Sequence, residues 1–141
     1  MFKKILIAVD GSDSNKVAVD QAIELTKTVN GTLTAICVFD IGTYGVIGQS
    51  VATGAEQELI DSTFAAALTY VRDKAKEAGI SLTIKTVSGR PAEAIVAESA
   101  NHDLVVSGSL GRTGVKRALM GSVAETVVRL AHCPVLVVRS N

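Results

Sequence analysis

The feature that most constrains the fold is the regular alternation of short apolar runs with amphipathic segments along the whole chain. The runs are rich in β-branched residues and end at turn formers, which is typical of strands, whereas the intervening segments repeat apolar residues at helical spacing. Predicted strands cover residues 3–9, 32–40, 80–87, 104–107 and 134–138. Because such alternation requires crossover connections, it predicts an α/β fold with a mainly parallel, doubly wound sheet and helices on both faces.

Helices are predicted over about residues 14–30 and 55–78, from Pro91 onward, and after Gly121. In the first helix the spacing predicts an inward face that includes Val17 and Leu25, and in the last helix one that includes Leu130. Residues 41–54 carry four glycines and no clear period, which predicts a mobile surface loop. The alternating pattern of 80–87 predicts a strand at a sheet edge.

Composition limits the class of protein. The 141 residues are 48% hydrophobic, which excludes a natively unfolded chain and predicts one domain over 1–141. Fourteen basic and fourteen acidic residues cancel, so nucleic-acid binding lacks its usual electrostatic driving force. With neither an apolar run near the roughly 20 residues that span a bilayer nor a signal-like start, the chain is predicted to be cytoplasmic without membrane insertion. Cys37 and Cys133 lack metal-binding spacing and are predicted to be free thiols.

The glycine-rich stretch after the fourth predicted strand indicates a site for an anion. Gly108 and Gly111 have no Cβ, so their main chain can approach phosphate oxygens, and Arg112 adds positive charge. A helix start follows, where unpaired N–H groups favour an anion. A structural interpretation accounts for the same residues, with glycines as turn formers and Ser122 with Glu125 as a capping box.

The spacing in this stretch resembles the universal stress protein family. Its nucleotide-binding members carry a glycine, two residues, a glycine, nine residues, then a glycine and a serine or threonine, which Gly108, Gly111, Gly121 and Ser122 match without a gap. The segments KILIAVDGS, GRPAEAI and HCPVLVV extend the likeness over essentially the whole chain. Neither a Walker nor a Rossmann glycine motif is present.

The resemblance implies a five-stranded parallel sheet of order 3-2-1-4-5, with ATP lying across the ends of strands one and four. The implied contacts form three groups, on the adenine and ribose side, along the glycine loop, and around the outer phosphates. These groups are Ala8, Val9, Asp10 and Val38; then Gly108, Ser109, Gly111 and Arg112; and then Gly121, Ser122 and Val123. We expect Mg²⁺ to bridge the phosphates of the bound nucleotide.

Several polar residues near these positions have a local structural interpretation as well. Asp10 either orients a ribose or a metal ion, or forms an Asx turn before the first helix. Ser12 and Ser14 are interpreted as helix-capping residues. His102 and His132 fit no metal-binding pattern and are predicted to be loop-surface residues, so no protein metal centre is expected.

The leading functional prediction is an ATP-binding stress-response or signalling module. A slow ATPase or nucleotide hydrolase that uses the same pocket, and a nucleotide-free dimeric interaction protein, remain as alternatives. A homodimer is predicted through the last strand, because the run from Pro134 to Val138 is apolar on both faces although the implied order leaves it at an edge.

Overall fold

The computed structural model describes residues 1–40, 54–109 and 120–140. The glycine-rich segment predicted to be a loop, residues 41–54, lies outside this part of the chain except for Gly54. Gly111 and Arg112, two of the residues implied to contact a nucleotide, also lie outside it.

Strands and helices alternate throughout the described residues. The strands are β1 (Lys4–Val9), β2 (Thr32–Asp40), β3 (Ser81–Gly89), β4 (Leu104–Gly108) and β5 (Val135–Val138). The helices are α1 (Asp13–Val29), α2 (Gly54–Ala78), α3 (Pro91–Ser99) and α4 (Ser122–Leu130). Each predicted element is present, and the observed strand ends differ from the predicted ones by at most two residues.

The five strands form one parallel sheet in the order β3-β2-β1-β4-β5. β1 is therefore central, β3 and β5 are the two edges, and the predicted fold class is confirmed. The chain leaves β1 toward β2 and β3 on one side and later returns to β4 on the other. The carboxyl ends of β1 and β4 thus lie at the point where strand order reverses, the usual place for a ligand in an open α/β sheet.

Two hydrophobic layers cover the sheet. On one face α1 and α2 pack over alternate residues of β1, including Ile5, Ile7 and Val9. On the other face α3 and α4 pack over Leu6 and its neighbours on β2 and β4. Successive side chains of a strand point to opposite faces of the sheet. The central strand is buried on both faces, which explains why its sequence is a continuous apolar run.

The inward faces predicted for two helices are partly wrong. In α1 the buried positions include the polar residues Asn15 and Thr26, whereas Val17 is 37% exposed. Thr26 tolerates burial because its hydroxyl donates to the Ala22 carbonyl 2.7 Å away. In α4 the inward residues are Ala124 and Val127, and Leu130 is 59% exposed.

Two further properties concern thiols and membranes. Both cysteines are free, with Cys37 buried in β2 and Cys133 half-buried after α4, as predicted. In the part of the chain that the structure describes, none of the helices combines the length and the apolarity needed to cross a bilayer.

Candidate functional site

The candidate site lies between the carboxyl ends of β1 and β4, where strand order reverses and an open α/β sheet forms a crevice. The ladder between β1 and β2 continues to the pair Val9↔Cys37, but the ladder between β1 and β4 ends two residues earlier, at Ile7↔Val106. The pairing of β1 with β4 therefore does not continue to Val9. The loop after β1 and the glycine-rich segment after β4 begin at the two sides of this crevice.

The β1–α1 loop holds Asp10 in a defined orientation. Gly11 has a φ of 84°, a left-handed conformation that suits glycine in a tight turn. Oδ1 of Asp10 accepts hydrogen bonds from the Ser12 main-chain N–H at 2.9 Å and from the Ser12 hydroxyl at 2.7 Å. The predicted Asx turn is therefore present, and among the described residues Oδ2 of this carboxylate is left for other partners.

Ser12 caps α1, as predicted. Its Oγ accepts from the Asn15 main-chain N–H at 3.2 Å while donating its proton to Asp10. Because that proton is committed to the carboxylate, the Ser14 hydroxyl must donate in its 3.1 Å contact with Ser12. The first turn of α1 and the Asp10 carboxylate form one hydrogen-bonded unit.

Sequence reasoning missed Asn15, a buried polar residue beside the crevice. It is 5% exposed, its Nδ2 donates to the Ala8 carbonyl at 2.9 Å, and its Oδ1 accepts from the Asp10 N–H at 3.3 Å. The sequence holds one signal that could have indicated this residue. The amide side chain of Asn15 falls three positions after the capping serine, in a helix that starts beside the end of a strand.

The glycine-rich segment leaves and returns at neighbouring points. The Gly121 N–H donates to the Ser109 carbonyl at 2.7 Å, and the Ser109 N–H donates to the Val138 carbonyl at 3.0 Å. The two ends of the predicted loop motif, separated by eleven residues of sequence, are thus adjacent beside β4 and β5. Gly108, Ser109, Gly121, Ser122 and Val123 consequently lie close together.

The start of α4 differs from the predicted capping box. Gly121, not Ser122, occupies the N-cap position, with φ −64° and ψ 158°, and its carbonyl accepts the first helical hydrogen bond from the Glu125 N–H at 2.9 Å. Ser122 is already helical, so its side chain is one position too late to cap, and Glu125 instead pairs with Arg129 at 3.8 Å. The first-turn N–H groups of α4 therefore have no side-chain cap.

The remaining implied contacts divide between the two faces of the sheet. Ala8 and Val38 both lie in the layer covered by α3 and α4, where Val38 is 8% exposed. The Val9 side chain lies in the opposite layer, under α1 and α2, and is 4% exposed. Only the main chain of Val9 can therefore face a ligand on the side of Ala8 and Val38.

Burial perturbs the thiol that lies beneath this end of the sheet. The pKa of Cys37 is raised to about 12, first because the side chain is buried away from water and second because the negative charge of Asp10 is nearby. The thiol is therefore protonated at neutral pH and behaves as an apolar core group.

The two histidines have different environments. His132 is exposed, as predicted, but the His102 side chain is only 8% exposed, so the surface prediction is wrong for this residue. Its Nδ1 lies 3.1 Å from the Glu98 carbonyl, and Lys85 pairs with the Glu98 carboxylate at 3.0 Å. This cluster ties α3 to the edge strand β3. Within the described ranges, no group of three or more His, Cys, Asp or Glu side chains is arranged to hold a metal ion.

Comparisons with known proteins agree with this architecture. A model of the universal stress protein family matches residues 1–139. A universal stress protein of Methanocaldococcus jannaschii is 38% identical over an alignment of 141 positions that covers 99% of this chain and 83% of that protein. The chain belongs to the universal stress protein family, as its motifs predicted.

Solved structures show the same fold. The universal stress protein UspA from Lactobacillus plantarum matches with a TM-score of 0.79 and 28% identity, covering 98% of each chain. A universal stress protein crystallised in complex with cAMP matches with a TM-score of 0.72 and 27% identity, covering 99% of this chain and 98% of that one.

Proposed function

We propose that this protein binds ATP in the crevice between β1 and β4 and acts as a cytoplasmic stress-response or signalling module. The observation that carries the proposal is the early end of the β1–β4 ladder at Ile7↔Val106. The Asp10 turn follows β1 on one side of this opening, and both ends of the glycine-rich segment lie beside β4 on the other side. The related protein solved with cAMP supports an adenine nucleotide as the ligand class.

Each part of the nucleotide has a counterpart among the described residues. Ala8 and Val38 offer an apolar surface on one face for the adenine. Asp10 has a carboxylate oxygen that no described residue occupies, which suits a ribose hydroxyl. The main chain at Gly108 and Ser109 and the uncapped N–H groups at the start of α4 suit the phosphates.

The members of this proposed site that the structure does not describe, Gly111 and Arg112, are assigned by the family motif alone. A bound Mg²⁺ would neutralise part of the charge of the phosphates. The nucleotide would supply most of the groups that hold it, and Asp10 would offer a carboxylate at the carboxyl end of β1.

We propose a binding module in preference to an enzyme because of how Asp10 is held. Its Oδ1 already accepts two hydrogen bonds from Ser12, so this oxygen is not free to take a proton from an attacking water. Slow hydrolysis at the same pocket is the alternative, and a measured phosphate release abolished by Asp10→Asn in a folded protein would favour it.

Calorimetric titration of the wild type and Asp10→Asn with ATP tests the proposal. Asparagine retains an oxygen that can accept from Ser12, so the turn is expected to persist, but the charge and one acceptor are lost. A hydrogen bond to a charged group contributes about 1.5–3 kcal/mol, so ATP affinity is expected to fall about tenfold to a hundredfold.

Asp103→Asn is the matched control. Oδ2 of Asp103 accepts from the N–H groups of Lys3 and Lys4 at 3.0 and 2.9 Å, at the opposite end of β1. This variant is expected to bind ATP as the wild type does. No binding of ATP, AMP or cAMP by the wild type would contradict the proposal and favour a nucleotide-free interaction protein.

We also propose that the protein forms a homodimer through β5. This edge strand runs from Val135 to Val138, and its Leu136 side chain is 41% exposed. Val128 and Leu130, at the end of the preceding helix, are 43% and 59% exposed. An uncharged apolar edge of this kind favours pairing with another strand.

A further inference from the structure

We propose that Asn15 is the positioning residue that holds the crevice between β1 and β4 open, by taking the place of a strand residue beside the end of β1. This inference rests on the proposed function, because it concerns the site in which the nucleotide is proposed to bind. It depends on the direction of two main-chain groups, on the register of the sheet, and on the chemistry of a side-chain amide.

The main-chain groups that Asn15 contacts face the β4 side. The Lys4 carbonyl accepts from the Asp103 N–H at 2.7 Å, next to β4, whereas the Lys3 carbonyl accepts from Thr32 at 2.8 Å, in β2. Main-chain groups of successive residues in a strand point to alternate sides. Even-numbered residues of β1 therefore face β4, and Ala8 and Asp10 continue that series.

The register identifies which residue Asn15 replaces. The pairs Ile5↔Leu104 and Ile7↔Val106 extrapolate to Val9↔Gly108, the next pair of the parallel ladder. In that pair Gly108 would donate to the Ala8 carbonyl and accept from the Asp10 N–H, because a residue in a parallel ladder bonds to both neighbours of its partner. Nδ2 and Oδ1 of Asn15 form those two bonds instead, at 2.9 and 3.3 Å.

The substitution has two consequences for the site. First, Gly108 is released from β1 although it remains paired with β5 through Val138, so its main chain borders an open crevice. Second, the N–H of Asp10 is fixed while Ser12 fixes its carboxylate, so both ends of this residue are held before a ligand arrives. Such preorganisation reduces the cost of ordering the site on binding.

The chemistry requires an amide. Asparagine donates and accepts through one planar group, as a peptide does, whereas a hydroxyl has a single proton and a carboxylate has none to donate. The residue is also 5% exposed, so loss of its side chain leaves the Ala8 carbonyl and the Asp10 N–H without their partner. Gly108 is in register to form hydrogen bonds with both of these groups, and that pairing closes the crevice.

The experiment compares the wild type, Asn15→Ala and Asn15→Ser by ATP calorimetry and by amide hydrogen exchange of the ligand-free proteins. Serine has one hydroxyl on a shorter side chain, so it replaces at most part of the network and provides a milder variant. Thr26→Val is the control, because Thr26 is another fully buried polar residue of α1 whose hydroxyl bonds within the helix.

We expect Asn15→Ala to lower ATP affinity by about tenfold or more, the equivalent of one hydrogen bond, and to slow exchange of the Gly108 amide, which becomes the donor to the Ala8 carbonyl. Asn15→Ser is expected to be intermediate, and Thr26→Val to keep wild-type affinity even if it is less stable. A folded Asn15→Ala or Asn15→Ser variant with affinity within about twofold of the wild type overturns the inference. Absence of ATP binding by the wild type would instead contradict the proposed function.

Discussion

At the scale of single residues, burial beneath the crevice determines how the Cys37 thiol titrates. Its pKa is raised to about 12 by burial and by the charge of Asp10, whereas a thiol in an unfolded chain titrates near pH 9. The folded state therefore holds this proton more tightly than the unfolded state. Its contribution to stability is complete below about pH 9 and is lost as the pH rises toward 12.

We predict that the free energy of unfolding falls over this interval with a steeper slope in the wild type than in Cys37→Ala. One proton changes the slope by about 1.4 kcal/mol per pH unit at most. Denaturant unfolding at a series of pH values measures it, and Cys133→Ala gives a comparison, because it removes a half-buried thiol whose pKa is also raised by burial. Equal slopes in the wild type and Cys37→Ala would show that Cys37 ionises as easily in the folded protein as in the unfolded chain.

At the scale of elements, α1 and α4 begin in different ways. Ser12 caps α1 through its side chain, whereas Gly121 precedes α4 and offers no side-chain acceptor to the first-turn N–H groups. At a helix start without a side-chain cap, the first-turn N–H groups and the partial positive charge of the helix are available to an anionic ligand. The two serines that the sequence presents as capping residues therefore have different roles.

We predict that Ser12→Ala lowers the free energy of unfolding by about 1 kcal/mol and that Ser122→Ala changes it by less than about 0.5 kcal/mol. Thermal or urea unfolding of the two variants side by side gives both values. ATP affinity is expected to fall in Ser122→Ala through the lost hydroxyl near the proposed phosphate position. A loss near 1 kcal/mol in Ser122→Ala would instead support the interpretation of Ser122 as the capping residue of α4.

The order of elements was predictable because apolar periodicity and turn residues act over short stretches of sequence. Strand order also followed, but from the family resemblance, since periodicity alone leaves the sheet order open. The inward face of α1 was not predictable from apolar spacing, because Asn15 and Thr26 are polar residues that are buried with their hydrogen bonds satisfied.

The candidate site, like the fold, was predictable only in part. The motif identified its glycines, but whether Ser122 or Gly121 caps α4 depends on a one-residue difference in where the helix starts, which lies below the precision of sequence patterns. Asn15 escaped notice because its role depends on β1 and β4 separating, a property of two strands about one hundred residues apart that no local pattern records.

At the scale of the whole molecule, the two edges of the sheet differ in how they discourage pairing. β3 alternates exposed and half-buried residues and carries Lys85, whose ammonium pairs with Glu98 of α3. β5 has four apolar residues and no charge within the strand. Charged side chains blunt edges against association, so β3 is protected and β5 is open to a partner.

Leu136 gives the clearest test of the proposed dimer because it lies in the middle of β5 and is 41% exposed, so a lysine there can reach water in a monomer. In antiparallel pairing about a twofold axis, the same surface of each copy is buried, and a mutation therefore acts twice. A stable interface is expected to bury at least about 1,000 Å² in total, which is more than strand pairing alone provides. The exposed side chains of Val128 and Leu130 offer further apolar surface for such an interface.

We predict that the wild type sediments as a dimer at micromolar concentration and that Leu136→Lys sediments as a folded monomer. Val17→Lys is the matched control, because Val17 is 37% exposed on α1, at a distance in sequence and on a different element from the proposed interface. It is expected to remain dimeric, which separates a local effect of β5 from a general effect of added charge. A monomeric wild type would contradict the proposed dimer. A dimeric and well-folded Leu136→Lys would show that the interface lies elsewhere than on β5.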